Sequence, residues 1–365
     1  MRIGIPREVK DGEHRVALTP AGVASLSKMN IEVVVERSAG AGSGFSDESF
    51  LEAKARIGDP WECELVVKVK ELQESEYRKP RPGQTVFGFQ HFGPDPELLD
   101  AALASGATFV AFETVGESSG LPILSPMSAI AGRLAVQAGA WFLQKQNGGS
   151  GVLLSGLEGV APGKVVILGA GNVGSNALAL ACGVGAEVTV FARSEKKFAN
   201  LKKQFPHALF RLEGLEKAVR DADLVIGGVL TPGRMSPKLI SRAMLARMRR
   251  GSVLVDVGID QGGIAETSRP TSHSAPTYVE EGIVHYCVPN MPAACARTAT
   301  LALTQATFPY VMKLADDGLN ALSKTAGLAN GLQVHAGQIT YRSLAEDVKR
   351  PFRPYADIAR GTRLV

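Results

Sequence analysis

Cysteine is scarce and unpatterned in this 365-residue chain: the 4 present, Cys63, Cys182, Cys287 and Cys295, are widely spaced, with no CxxC pair. That argues against a disulfide framework or a thiolate zinc site and suits a reducing cytoplasm. Long apolar runs are also missing. No segment reaches the roughly 18 uninterrupted apolar residues of a membrane helix, and the opening MRIGIPREVK lacks the apolar centre of a signal peptide. A soluble, cytoplasmic protein without a membrane partner is therefore expected. Nor does one sign of charge dominate, since 40 Lys and Arg face 36 Asp and Glu. The resulting formal charge of +4, without a basic run, argues against nucleic acid and mildly suits small anionic substrates. No His-rich or carboxylate-rich spacing suggests a metal.

What is abundant is glycine, with 40 residues, in a chain that is 45% hydrophobic and long enough for two domains. Short β-prone runs, RIGIP, IEVVVE, LVVKVK, TVFGFQ and ATFVAFE, recur through the first third with helix-like stretches between them. The alternation predicts a parallel sheet with crossover helices. Thr19 before Pro20 reads as a helix cap leading a helix to about Lys28, and Ser46 with Asp47 and Glu48 reads as another helix start. Residues 128–146 read as a long, mostly buried helix, and the glycine-rich NGGSGVLLSGLEG after it reads as a joint. A second α/β series runs through KVVILGAG, EVTVFA, DLVIGGVL, SVLVDVGID and IVHYCVPN. An apolar-faced helix over 298–318 follows, placed to return the chain to its first domain. The tail after Val348 has little periodicity and reads as mobile. There are no internal repeats.

The most specific local signal is GAGNVG, in which Gly169, Gly171 and Gly174 surround Asn172 and Val173 between an apolar strand and a helix. In that context Gly169 permits the tight turn, Gly171 lets backbone approach a pyrophosphate, and Gly174 lets the helix pack closely on the strand. A helix N-terminus then faces the anion. About 20 residues further on, where an acid would bind the adenosine ribose hydroxyls, stand Ala192 and Arg193. Loss of that carboxylate and gain of a guanidinium predict NADPH, with Ser194 and Lys197 near enough to contribute. NAD remains a possible cofactor on this reading.

Nothing in their spacing nominates the chemical groups, but a resemblance does. The segments RIGIPREVKDGEHRVALTPAGV, GAGSGFSDESF, VVKVKE, PMSAIAGR, APGKVVILGAGNVG, VDVGIDQGGI and PNMPAACARTATLALTQAT make nearly the whole chain similar to the alanine dehydrogenase/pyridine nucleotide transhydrogenase family. The IDQGG and NMP segments resemble the alanine dehydrogenase branch most. An acidic insertion after the second Rossmann strand, expected of a transhydrogenase subunit, is missing. The resemblance implies two Rossmann-like α/β domains with parallel sheets and a cleft between them. The substrate domain would comprise 1–127 and 296–365, and the dinucleotide domain 128–295. It further implies that Arg15 holds a substrate carboxylate, Lys70 grips the substrate oxygens, and His91 is the general acid/base. Asp260 would sit at the mouth of the cofactor site and assist orientation or proton movement. Asn290 and Met291 would approach nicotinamide and substrate, and Ser128, Val229 and Leu230 would line the cofactor cleft. A homo-oligomer, hexamer or dimer, is expected.

The implied activity is reversible reductive amination of pyruvate, or a similar small 2-oxo acid, with ammonia. Three positions depart from the family pattern: Phe89 and Gln90 stand where an aromatic and a leucine are usual, and Ala129 where an acid is common. They leave open an NADPH-dependent N-(carboxyalkyl)amino acid synthase, which reduces an imine between pyruvate and an amino acid. A noncatalytic transhydrogenase-like nucleotide-binding subunit is the alternative of another class, and the joint presence of Arg15, Lys70, His91 and Asp260 speaks against it.

Overall fold

The structure, a computed structural model, describes residues 1–118, 120–229 and 235–361. It divides the chain into two compact units, Met1–Met127 with Ala293–Val365, and Ser128–Pro292. In the first, strands β1 (Ile3–Ile5), β2 (Val33–Val35), β3 (Arg56–Ile57), β4 (Leu65–Val67), β5 (Thr85–Gly88) and β6 (Thr108–Ala111) lie in the order β3-β2-β1-β4-β5-β6. All of those pairings are parallel. Runs such as VVV and LVV are buried at every position, as strands covered on both faces require. The two expected helix starts are present. The Thr19 hydroxyl accepts from the Gly22 N–H ahead of a helix over Pro20–Ser27, and Ser46 caps Asp47–Glu52 through the Ser49 N–H.

The second unit repeats the plan. Its strands are β7 (Lys164–Leu168), β8 (Glu187–Phe191), β9 (Leu209–Arg211), β10 (Leu224–Gly227), β11 (Val253–Asp256), β12 (Thr277–Glu280) and β13 (Ile283–Tyr286), ordered β12-β13-β11-β10-β7-β8-β9. Only the edge strand β12 runs antiparallel. Read from β9 to β13 this is the doubly wound order in which strand succession reverses between β7 and β10, leaving a crevice at the carboxyl ends of those strands. The chain then leaves through the helix Ala296–Asp317 and adds β14 (Leu332–His335) and β15 (Gln338–Ile339) to the first sheet, β14 antiparallel to β6. One sheet thus draws strands from both ends of the sequence. The fold is two-domain α/β with the first domain discontinuous.

Three local expectations are corrected. The long helix spans Leu124–Phe142 and not 128–146. The chain leaves it because the N–H groups of Gly149 and Gly151 turn back onto the carbonyls of Gln144 (3.2 Å) and Leu143 (2.7 Å). The glycine-rich stretch is therefore no joint. It lies inside the second unit, with the Ser150 N–H donating to the Gly251 carbonyl at 2.8 Å. The tail also folds further than its periodicity suggests: Phe352 bridges Ile339, and Tyr355–Gly361 is helical. Strands β3, β9, β12 and β15 escape a search for apolar runs because they are short or lie at sheet edges, where solvent covers part of each strand. Among the described residues no helix is long and apolar enough to cross a membrane.

A Cβ at Gly149 would lie 2.2 Å from the Leu143 carbonyl carbon, whereas one at Gly183 would meet nothing within 4 Å. Gly149→Ala should therefore lower unfolding free energy by about 1–3 kcal/mol. Gly183→Ala, at the end of a helix, should leave it unchanged or raise it by about 0.5–1 kcal/mol. Denaturant titration of both variants checks the contrast, and equal effects would mean the stretch yields as a joint would.

Candidate active site

The first unit gathers a charged cluster at the carboxyl ends of β1, β4 and β5. Lys68, 1% exposed, directly follows β4, and its ammonium donates to Glu76 Oε2 (3.0 Å), Glu8 Oε2 (3.4 Å) and the Glu71 carbonyl (3.2 Å). Burial alone would lower the Lys68 pKa, but the two carboxylates outweigh it and raise it, so the amine stays charged. Glu8 is pushed up by burial despite Lys68, since two buried acids share one cation. Glu8 also accepts the backbone N–H groups of Val69 (2.6 Å) and Lys70 (3.3 Å). This buried charge fixes the turn on which Lys70 and Glu71 stand.

On that turn the structure brings together Lys70 and His91, two groups that sequence spacing could not join. The Lys70 ammonium lies 3.4 Å from His91 Nδ1, and both reach Glu71 Oε2, at 3.3 and 2.7 Å. Lys10 pairs with the other carboxylate oxygen. Burial would raise the Glu71 pKa, but the His91 hydrogen bond and the Lys70, His91 and Lys10 charges hold it well below the usual carboxylate range. His91 sits at φ +46°, a left-handed conformation costly for a residue with a Cβ. Glu113 secures it by accepting the N–H groups of His91 (2.9 Å) and Gln90 (3.1 Å). The imidazole is stacked on Phe89, 5.8 Å between centroids, with its side chain 36% exposed. Gln90 is buried and its Oε1 has no hydrogen-bond partner among the described residues.

Arg15 is 2% exposed. Its Nε and Nη2 donate to the two oxygens of Glu13, at 2.7 and 2.5 Å, and Nη1 to the Met127 sulfur at 3.1 Å. The bidentate grip expected for a substrate carboxylate is thus held by Glu13. Glu13, Glu71 and Glu113 are the functional neighbours that sequence reasoning missed. Glu13 and Glu71 lie within two residues of the cations they serve, an acid-beside-base signal too common on surfaces to be read alone.

In the second unit the three glycines of the turn do three different things. Gly169, at φ +106°, lies so close to the Gly228 carbonyl that a Cβ would meet its oxygen at 2.7 Å. A Cβ on Gly174 would meet the Gly169 oxygen at 1.9 Å, while one on Gly171 would meet nothing within 4 Å. Gly171 caps the 12-residue helix Asn172–Gly183, so the open space beside it lies at a helix N-terminus. The turn fits a dinucleotide pyrophosphate.

Val229 lies against this turn, its Cγ2 3.3 Å from the built Gly169 Cβ, and Val173 presses on Gly132 of the long helix that also carries Ser128 and Ala129. Leu230 lies outside the described residues. Arg193 and Lys197 are exposed, Ala192 and Ser194 half-buried, and the Ser194 hydroxyl caps the turn Glu195–Lys197 by accepting the Lys196 N–H.

Asp260 is exposed in the turn Ile259–Gln261 after β11. A second acid missed in the sequence, Asp256, builds that turn. It is 1% exposed and accepts from the N–H groups of Gly258 (3.2 Å) and Ile264 (2.7 Å) and from the Ser268 hydroxyl (2.5 Å). Burial pushes its pKa up against those hydrogen bonds. Asn290 is at φ +61°, its carbonyl 3.4 Å from His273 Nε2, and the Met291 side chain is packed into the core of this unit. No group of three or more metal-ligating side chains is found among the described residues.

Removing the cation from a buried cluster leaves its acids unpaired. Lys68→Met should cost about 3–5 kcal/mol of stability near neutral pH, a deficit that shrinks as the pH falls and Glu8, whose pKa burial already raises, takes up a proton. Denaturation of both proteins as the pH is lowered is the check. A deficit that does not change with pH would mean that packing, not charge, is what Lys68 supplies.

The family model described as Alanine dehydrogenase/PNT, N-terminal domain matches residues 4–131, and its C-terminal counterpart matches 135–342. An alanine dehydrogenase of Halomonas elongata is 49% identical over 357 residues, covering 95% of this chain and 96% of that protein. One of Mycolicibacterium smegmatis is 47% identical over 364 residues, covering 96% and 98%. A solved L-alanine dehydrogenase matches with a TM-score of 0.92 at 45% identity, covering 96% of this chain and 99% of that one. This chain belongs to the alanine dehydrogenase/PNT family.

Proposed function

We propose that the protein is an amino-acid dehydrogenase that interconverts L-alanine with pyruvate and ammonia, using NADPH. The observation that carries the reading is the Lys70–Glu71–His91 cluster: a cation to polarise a carbonyl and an imidazole to move protons, held 3.4 Å apart in a protein whose relatives are alanine dehydrogenases. The cofactor, when bound, supplies the hydride acceptor or donor. Everything else falls to side chains. Lys70 lowers the charge building on the substrate oxygen, and Arg15 meets the substrate carboxylate by exchanging its weak thioether contact at Nη1 for a charge-assisted one. His91 takes and returns the protons that accompany ammonia addition and water loss on the way to the imine. Asp260 assists proton movement at the mouth of the nucleotide turn, with Asn290 positioned by its strained backbone. The gain comes from orientation and from cations facing developing negative charge.

Ala192 and Arg193 support the choice of NADPH. No carboxylate is there to repel a 2′-phosphate, and the exposed Arg193 has no ion-pair partner among the described residues.

Purified protein should reduce pyruvate with ammonium, and His91→Ala should cut kcat by roughly 100- to 10,000-fold while nucleotide binding persists. Near wild-type turnover in that variant would remove His91 from the chemistry. The same assay with a panel of amino acids in place of ammonium tests the carboxyalkyl-amino acid synthase reading, which faster turnover with an amino acid would favour.

One charge-assisted contact to the 2′-phosphate corresponds to about 1.5–3 kcal/mol, so kcat/KM should favour NADPH over NADH by roughly 10- to 100-fold. Ala192→Asp with Arg193→Leu should reverse the order. Equal or better use of NADH by the natural protein would make Arg193 a solvated residue at the start of a helical turn.

A further inference from the structure

We infer that Glu71 is the positioning residue of the site: it holds His91 as the Nδ1–H tautomer and so leaves Nε2 as the nitrogen that exchanges protons with the substrate. This rests on the reading of His91 as the proton-transfer group and goes beyond it by naming which nitrogen acts and what selects it.

The argument is one of donors and acceptors. His91 Nδ1 has two polar neighbours, Glu71 Oε2 at 2.7 Å and the Lys70 ammonium at 3.4 Å. An ionised carboxylate only accepts and an ammonium only donates, so the two neighbours ask for opposite tautomers. Distance decides between them, because 2.7 Å is a strong charge-assisted contact and 3.4 Å lies at the edge of hydrogen bonding. Lys70 has a better acceptor in the same Oε2, 3.3 Å away and ionised. The proton therefore sits on Nδ1.

The surroundings keep Glu71 ionised and still. Lys10, from the loop after β1, pairs with its second oxygen, and its side chain is only 9% exposed. The Lys68 ammonium, donating to the Glu71 carbonyl, fixes its backbone. From the segment after β6, Glu113 takes the His91 backbone N–H and leaves the ring alone. Phe89 stacks on one face of the imidazole and limits its tilt, and a flip of the ring within that plane would put a carbon where Nδ1 stands and break the Glu71 bond. The arrangement is that of a carboxylate orienting a histidine base, with the acid adjacent in sequence to the lysine.

The test uses the full chain with 15N-labelled histidine, its His91 signals assigned by their loss in His91→Ala. Two-bond 15N–1H spectra near neutral pH should show His91 protonated at Nδ1, and Glu71→Gln, whose amide can donate to that nitrogen, should shift the population toward Nε2–H. In steady state Glu71→Gln should lower kcat by roughly 10- to 100-fold through His91, and any rise in KM for pyruvate would report the Lys70 contact that the same oxygen makes. Glu71→Asp, which keeps an acceptor, should retain the Nδ1–H tautomer and recover part of kcat. An Nε2–H tautomer in the wild type overturns the inference even if no variant folds. So does a Glu71→Gln protein with unchanged spectra and unchanged kcat. Failure of the wild type to turn over pyruvate would remove the proposed reaction alone, and the spectra would still decide the role of Glu71.

Discussion

A single ammonium group, that of Lys68, lies under the chemistry of the first unit. Burying it is costly, and the two carboxylates that meet it are equally buried, so the cluster adds little to stability compared with apolar residues of the same volume. Its effect is geometric. Glu8 follows β1, Lys68 follows β4, and Glu76 closes the next turn by accepting the Gln73 N–H at 2.9 Å. With Lys68 at the centre these segments are tied to one shared cation. The spare oxygens of Glu8 fix the N–H groups of Val69 and Lys70, which points the turn carrying Lys70 and Glu71 toward His91. A neutral core could hold β1 against β4 as firmly, but it would not specify the turn.

The nucleotide turn of the second unit depends on a different constraint, the absence of a Cβ. Gly169 and Gly174 are excluded from change by backbone oxygens of the protein itself, while Gly171 is open. Two of the glycines therefore let the strand, turn and helix close on one another, and the third leaves room for something that is not protein. A turn selected for packing alone would have no reason to leave Gly171 bare at a helix N-terminus. Asp256 extends the same plan to the next crevice loop: a buried acid accepts the loop's own N–H groups and so sets where Asp260 emerges.

The parts of this architecture that a sequence displays are those built from local repetition. Apolar runs located most of the central strands, Thr19 and Ser46 announced their helices, and GAGNVG declared a turn whose three glycines have the three environments expected of them. What stayed hidden depends on contacts between distant segments. Lys70 and His91 are 21 residues apart, and nothing in either peptide says that they meet. Glu113 lies 22 residues from the strained backbone it secures. The glycine-rich stretch after the long helix misled for a related reason: small residues mark both flexible joints and close approaches, and only the Leu143 carbonyl against Gly149 tells which is present. Family resemblance supplied the names of the cations. It did not supply their acids.

Those acids divide the cations of the first unit into three sets. Arg15 is paired with Glu13, and Lys68 with both Glu8 and Glu76. Around Glu71 the sharing runs the other way. One carboxylate is shared by Lys10 and Lys70, and it also accepts the proton of His91. The His91 imidazole, partly open to solvent, stands beside that carboxylate. Each cation of these sets therefore has an acid against it, and Glu71 is the acid that ties two of the cations to the imidazole, so one carboxylate couples the position of Lys70 to that of His91.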